Sequence, residues 1–125
     1  MNQILSLIDA EMIQVYRVSQ QQLVFQGLKI DEAHRTVIRE EKELKLTYIE
    51  FEILLFLAKN AGVVFSKEKI YDAVWGEPYS GDYNIVMTHI RNIREKIEDD
   101  PSKPIYIQTV WGVGYRFNKN LSSSL

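Results

Sequence analysis

Between Asp82 and Ile97 the apolar side chains Val86, Ile90, Ile93 and Ile97 recur at intervals of four, three and four. At about 3.6 residues per turn this spacing predicts a helix over 83–97 with one narrow apolar stripe. The opposite face carries Asn84, Thr88, Arg91, Asn92 and Glu95, with Met87 at its edge, His89 on one flank and Arg94 on the other. A surface helix packed by a single stripe shows the same pattern, so periodicity alone assigns no role.

Upstream, Ile4, Leu5, Ile8, Met12, Val15 and Tyr16 share a helical face, while Leu7, Ile13 and Val18 interrupt the polar one. This predicts an amphipathic helix and a Gln-rich linker over 1–22. Three readings stay open for it: a helix packed on its own domain, the last helix of a neighbouring domain, or a dimerisation helix. From Leu23 the period shortens. A short apolar run at 23–25, a strand-like run at 35–39 and alternating runs at 28–31 and 43–46 are separated by polar breaks at Gly27, Glu32–His34 and Glu40–Glu41. Short runs with tight breaks predict a four-stranded antiparallel meander.

Thr47-Tyr48-Ile49-Glu50 has the capping-box spacing, and the run from Ile49 to Ala58 is apolar nearly all round. It predicts a buried helix ending near Asn60, with Gly62 as terminator. Ser66 caps a further helix, Lys67 to about Trp75, with Ile70, Tyr71 and Val74 facing inward. The breakers Gly76, Pro78 and Gly81 mark a loop over 76–81, after which Ser80 or Asp82 caps the helix described first. Strands over 105–110 and 114–117 follow. They are joined through Trp111-Gly112-Val113-Gly114, whose two glycines are expected to supply positive φ at a projecting hairpin tip. Residues 119–125 are expected to be a disordered tail. The fold expected over 23–118 is α+β: a sheet, a three-helix core with helix-turn-helix outline, and a C-terminal hairpin.

The chain's 125 residues suit one domain, and 46% hydrophobic and 26% charged residues are ordinary values for a globular protein. It has no cysteine, which excludes disulfides, thiolate metal sites and a Cys nucleophile. No membrane span is visible. Basic residues start only at Arg17, with Asp9 and Glu11 interrupting the early apolar run, so no signal peptide is visible and a cytoplasmic location is expected. The net charge is −2, and residues 66–119 hold as many Lys and Arg as Asp and Glu. A nucleic-acid partner would therefore rely on local placement, as in Arg91, Arg94 and Lys96 against Glu95.

Catalysis finds no support. His34 lies among turn residues without a second ligand at metal spacing, and Gly112-Val113-Gly114 is too short for a dinucleotide loop. No enzyme activity, metal or cofactor is expected. The outer face of 83–97 offers different chemistry. Arg, Asn and Thr pair with base edges, and Arg and His reach phosphates. Glu95 either holds Arg91 at four-residue spacing or accepts from a cytosine amine.

TYIEFEILLFLAKNAGVVFSKEKI, VWG, IVMTHIRNIREKI and YIQTVWGVGYRF together resemble the winged-helix output domain of OmpR/PhoB-type response regulators over about Leu23 to Phe117. The hairpin sequence is similar to that of the vancomycin-resistance regulators within that family. The resemblance implies a winged helix-turn-helix that binds double-stranded DNA, with helix 83–97 in the major groove and wing 105–117 on the adjacent minor groove. It implies base reading by Thr88, Arg91 and Asn92, and backbone contacts by Trp75, His89, Arg94 and Thr109. Asn84, Met87 and Glu95 are further DNA-facing positions. It also implies a homodimer on repeated half-sites, contact with RNA polymerase through loop 76–81, and control by a receiver domain and sensor kinase in a longer protein. Many members carry Arg where this chain has Asn84, Asn92 and Trp111. Losing those guanidiniums lowers phosphate attraction and changes which bases can be read. Trp111 at the wing tip either contacts DNA sugar or base steps, or is a rim hydrophobe. The alternative function is a winged-helix protein-interaction module, which would present apolar anchors on the helix's outer face.

Overall fold

Alternation across the first strands places Leu23, Ile30, Val37 and Leu44 in register on one face of a sheet. A computed structural model of the chain describes residues 22–76 and 82–121, with residues 83 and 84 described by backbone alone. Strands β1 (Gln22–Phe25), β2 (Leu28–Asp31), β3 (Thr36–Arg39) and β4 (Lys42–Leu44) pair antiparallel in sequence order. Ile30 and Val37 are buried against the helices that follow.

Helix α1 (Tyr48–Lys59) starts at the predicted capping box. Glu50 N–H donates to Thr47 Oγ1 at 3.2 Å, and Thr47 N–H donates to Glu50 Oε1 at 2.9 Å. Phe51, Ile53, Leu54, Leu55, Leu57 and Ala58 are buried around most of its circumference, making α1 the centre of the core. Helix α2 (Lys67–Trp75) is capped by Ser66, which accepts from Lys69 N–H, and it ends at Gly76. Helix α3 (Tyr83–Ile97) sinks its stripe completely, with Val86, Ile90, Ile93 and Ile97 at most 1% exposed. Truncating one of these isoleucines to alanine would cost about 2–5 kcal/mol.

Strands β5 (Ile107–Val110) and β6 (Gly114–Phe117) form the hairpin. Three details differ from expectation. The first strand begins at Ile107, not Ile105. The backbone N–H groups of Ile105, Tyr106 and Ile107 are taken by the buried carboxylate of Glu98, at 2.7, 3.0 and 2.9 Å. Secondly, positive φ occurs at Gly112 (+80) but not at Gly114. Gly114 serves close approach instead: a Cβ there would lie 2.0 Å from the Phe65 carbonyl oxygen. Phe65 and Tyr115 exchange backbone hydrogen bonds of 2.8 and 2.9 Å, which ties the hairpin base to the segment before α2. Thirdly, the expected tail starts within the packed structure, because Leu121 is partly buried against the core.

The order sheet, α1, α2, α3, hairpin is of α+β class, as the sequence pattern predicts, and is the winged helix-turn-helix that the family resemblance implies. The expected N-terminal helix before Gln22, loop residues 77–81 with the Ser80 cap, and tail residues 122–125 lie outside the described residues. Among the described residues no helix is long and apolar enough to cross a membrane.

Candidate nucleic-acid interface

With its stripe buried, α3 turns Met87, Thr88, Arg91 and Glu95 to solvent and leaves Asn92 half-buried. The side chain of Asn84 is not among those described. Arg91 makes no ion pair or hydrogen bond with another described residue, and Glu95 does not hold it. A free, exposed guanidinium and hydroxyl thus stand one turn apart on an open helix face.

The other cations of α3 are engaged within the protein. Lys96 Nζ donates to the buried Glu50 carboxylate at 2.6 Å. Burial alone would raise the Glu50 carboxyl, but hydrogen bonds from Lys96 and the Thr47 backbone and the charges of Lys96 and His89 hold it below the usual carboxylate range. Arg94 is half-buried. Its Nε and Nη2 donate to the Ile107 carbonyl at 3.0 and 2.9 Å, and Nη2 also donates to Thr109 Oγ1 at 2.8 Å. Its guanidinium lies 5.5 Å from the Tyr115 ring centroid. So Arg94 locks the first wing strand against α3 and leaves only Nη1 uncommitted. The local positive excess read from 84–97 therefore reduces, at the surface, chiefly to Arg91.

Trp75 is also half-buried. Its ring stacks on Tyr71 at 4.6 Å, with His89 tilted against it at 5.9 Å. The Nδ1 atom of His89 is buried without a hydrogen-bond partner. Thr109 accepts from Arg94 and keeps its own hydroxyl proton to donate. Trp111, at the hairpin tip, is 90% exposed. A groove of about 430 Å³ between α3 and the hairpin is lined by Met87, Thr88, Arg91, Arg94, Thr109 and Trp111, among others. The fold thus brings six of the eleven singled-out positions to one groove.

Two supports were not legible beforehand. Arg39, on β3, is 9% exposed. It caps the C-terminal end of α3 by donating Nε to the Ile97 carbonyl at 3.0 Å, and it pairs with Asp99 at 2.7 Å. Glu98 sits one residue past α3 and gathers the wing's leading N–H groups, as described above. Arg39 fixes α3 relative to the sheet across 58 residues of sequence, and Glu98 fixes it relative to the wing across 7 to 9. The only local hint was a charged residue at an inward-facing strand or helix-end position.

Comparison with known proteins places this geometry. The family model "Transcriptional regulatory protein, C terminal" matches residues 41–117. The chain belongs to that family. Its matched segment starts in the β3–β4 turn, so β1 to β3 extend it toward the N-terminus. The domain is 48% identical over 91 residues to an uncharacterized transcriptional regulatory protein, YrkP, of Bacillus subtilis, covering 72% of this chain and 39% of that one. The chain thus spans well under half the length of that relative. Its fold is similar to that of the response regulator DrrB, an OmpR/PhoB homolog from Thermotoga maritima (TM-score 0.74, 43% identity, 88% of this chain and 52% of that one). It is also similar to the DNA-binding domain of RstA from Klebsiella pneumoniae, solved in complex with the RstA box (TM-score 0.72, 28% identity, 78% of this chain and 97% of that one). The domain is therefore a winged-helix output domain of OmpR/PhoB type.

Proposed function

We propose that this output domain binds double-stranded DNA sequence-specifically and regulates transcription, with α3 in the major groove and the hairpin wing over the adjacent minor groove. The observation that carries the reading is the open outer face of α3. Thr88 and Arg91 are exposed there opposite a fully buried stripe, in one groove with the wing residues Thr109 and Trp111. A major groove about 12 Å wide admits such a helix. Thr88, Arg91 and Asn92 are assigned to base edges, with Asn84, Met87 and Glu95 alongside. The remaining Nη1 of Arg94, the hydroxyl of Thr109, His89, Trp75 and Trp111 are assigned to the sugar-phosphate backbone. The similarity to a domain solved with its DNA box supports this arrangement.

We further propose that the domain acts in the cytoplasm as the output end of a longer regulator with a receiver domain and sensor kinase. In that setting it pairs as a homodimer on repeated half-sites, and loop 76–81 faces RNA polymerase. Selection of duplexes from a random pool tests the DNA reading. Enrichment of a repeated half-site whose affinity falls linearly in log–log form with salt is expected. Failure to enrich any sequence would overturn it in favour of a protein-interaction module.

A further inference from the structure

The wing tip holds the most exposed large apolar side chain among the described residues, with a second exposed one beside it. Trp111 is 90% and Val113 57% exposed, on either side of Gly112. From Val110 to Tyr115 there is no charged residue. The nearest wing cation, Arg116, lies back on β6 and donates Nε to Gln108 Oε1 at 3.0 Å. Yet Trp111 shares a groove with Thr88 and Arg91. A ligand that fills this groove meets the indole as well. An exposed tryptophan offers a large apolar face and a single N–H donor, and it gains most where one side is apolar and the other polar.

The minor groove presents such a surface. Its walls are deoxyribose C–H groups and its floor carries the N3 and O2 acceptors. Resting on the DNA reading above, we propose that Trp111 anchors the wing by packing its indole on the deoxyribose walls of the minor groove, so the wing adds affinity that salt does not screen. An arginine at this tip would be drawn to the narrow, strongly negative grooves of A-tracts. An uncharged indole gains nothing from that potential and needs room for its ring. The wing therefore favours a wider groove, and its contact releases no counterion.

The test uses a fluorescein-labelled duplex selected from a random pool by the unaltered chain, titrated at roughly 50–200 mM salt. Trp111→Ala is expected to weaken binding roughly tenfold at every salt concentration, with the log–log slope unchanged. Trp111→Arg is expected to steepen the slope by up to about 0.9 and, on reselection, to enrich A-tracts beneath the wing. Both variants should melt with the unaltered chain, since the indole is almost fully exposed. Unchanged affinity in Trp111→Ala, or a shallower slope, would overturn the wing inference and leave the DNA reading standing. A chain that enriches no duplex at all would overturn both.

Discussion

Arg91 is the side chain on which the proposed DNA recognition chiefly depends. It is the α3 arginine that is exposed and unpaired, whereas Arg94 is spent on the wing. A guanidinium free of internal partners keeps all its donors for a bidentate base contact. Arg91→Ala is expected to weaken the selected site by roughly 1–3 kcal/mol while leaving random duplex nearly unaffected. Fluorescence anisotropy on both duplexes reads this, and equal losses would reassign Arg91 to phosphate. Thr88 and Arg91 were legible in the sequence because helical periodicity fixes which positions share a face. The commitments of Arg94 and Lys96 were not, since their partners Ile107, Thr109 and Glu50 lie 13, 15 and 46 residues away.

Among the elements, boundaries set by local chemistry were legible and those set by distant groups were not. Thr47 and Ser66 cap their helices as their spacing predicts, because a cap bonds an N–H three residues on. The first wing strand starts two residues later than its alternation suggests, because the Glu98 carboxylate takes the intervening N–H groups. Gly114 illustrates the same limit. Sequence marks it as a turn glycine, but only the backbone of Phe65, packed alongside, explains why no Cβ fits. Gly114→Ala must push the hairpin off that segment, breaking the bonds between Phe65 and Tyr115. A loss of about 1–3 kcal/mol in denaturant unfolding is expected. DNA affinity should fall as well, because the wing carries Thr109 and Trp111 to the groove. A variant as stable as the original would show that the hairpin base is not held there.

Across the molecule, the C-terminal end of α3 is held by acidic and basic groups: Glu50 through Lys96, Arg39 at the Ile97 carbonyl, and Glu98 onto the wing. This network makes stability depend on acid. Burial would raise Glu50, but Lys96 and the Thr47 backbone hold it low. Burial would likewise raise Asp31, but hydrogen bonds from His34 and Gln22 hold it low. A carboxyl lowered in the folded state binds fewer protons than in the unfolded chain. Its contribution is complete above the ordinary carboxylate range, about pH 4, and is lost as pH falls further. The melting midpoint should therefore drop as pH is lowered below about 5. Glu50→Gln should show a shallower drop. An identical acid profile in that variant would remove Glu50 from the network that positions α3.

The solvent face of α3 and the wing tip together form the surface proposed to meet DNA. Chemical-shift mapping of the isotope-labelled chain against a selected duplex tests this most directly. The largest changes are expected at Thr88, Arg91, Asn92 and the Trp111 indole N–H, with the β1–β4 meander nearly unmoved. Changes concentrated on the meander, with α3 and the wing unaltered at saturating duplex, would contradict it.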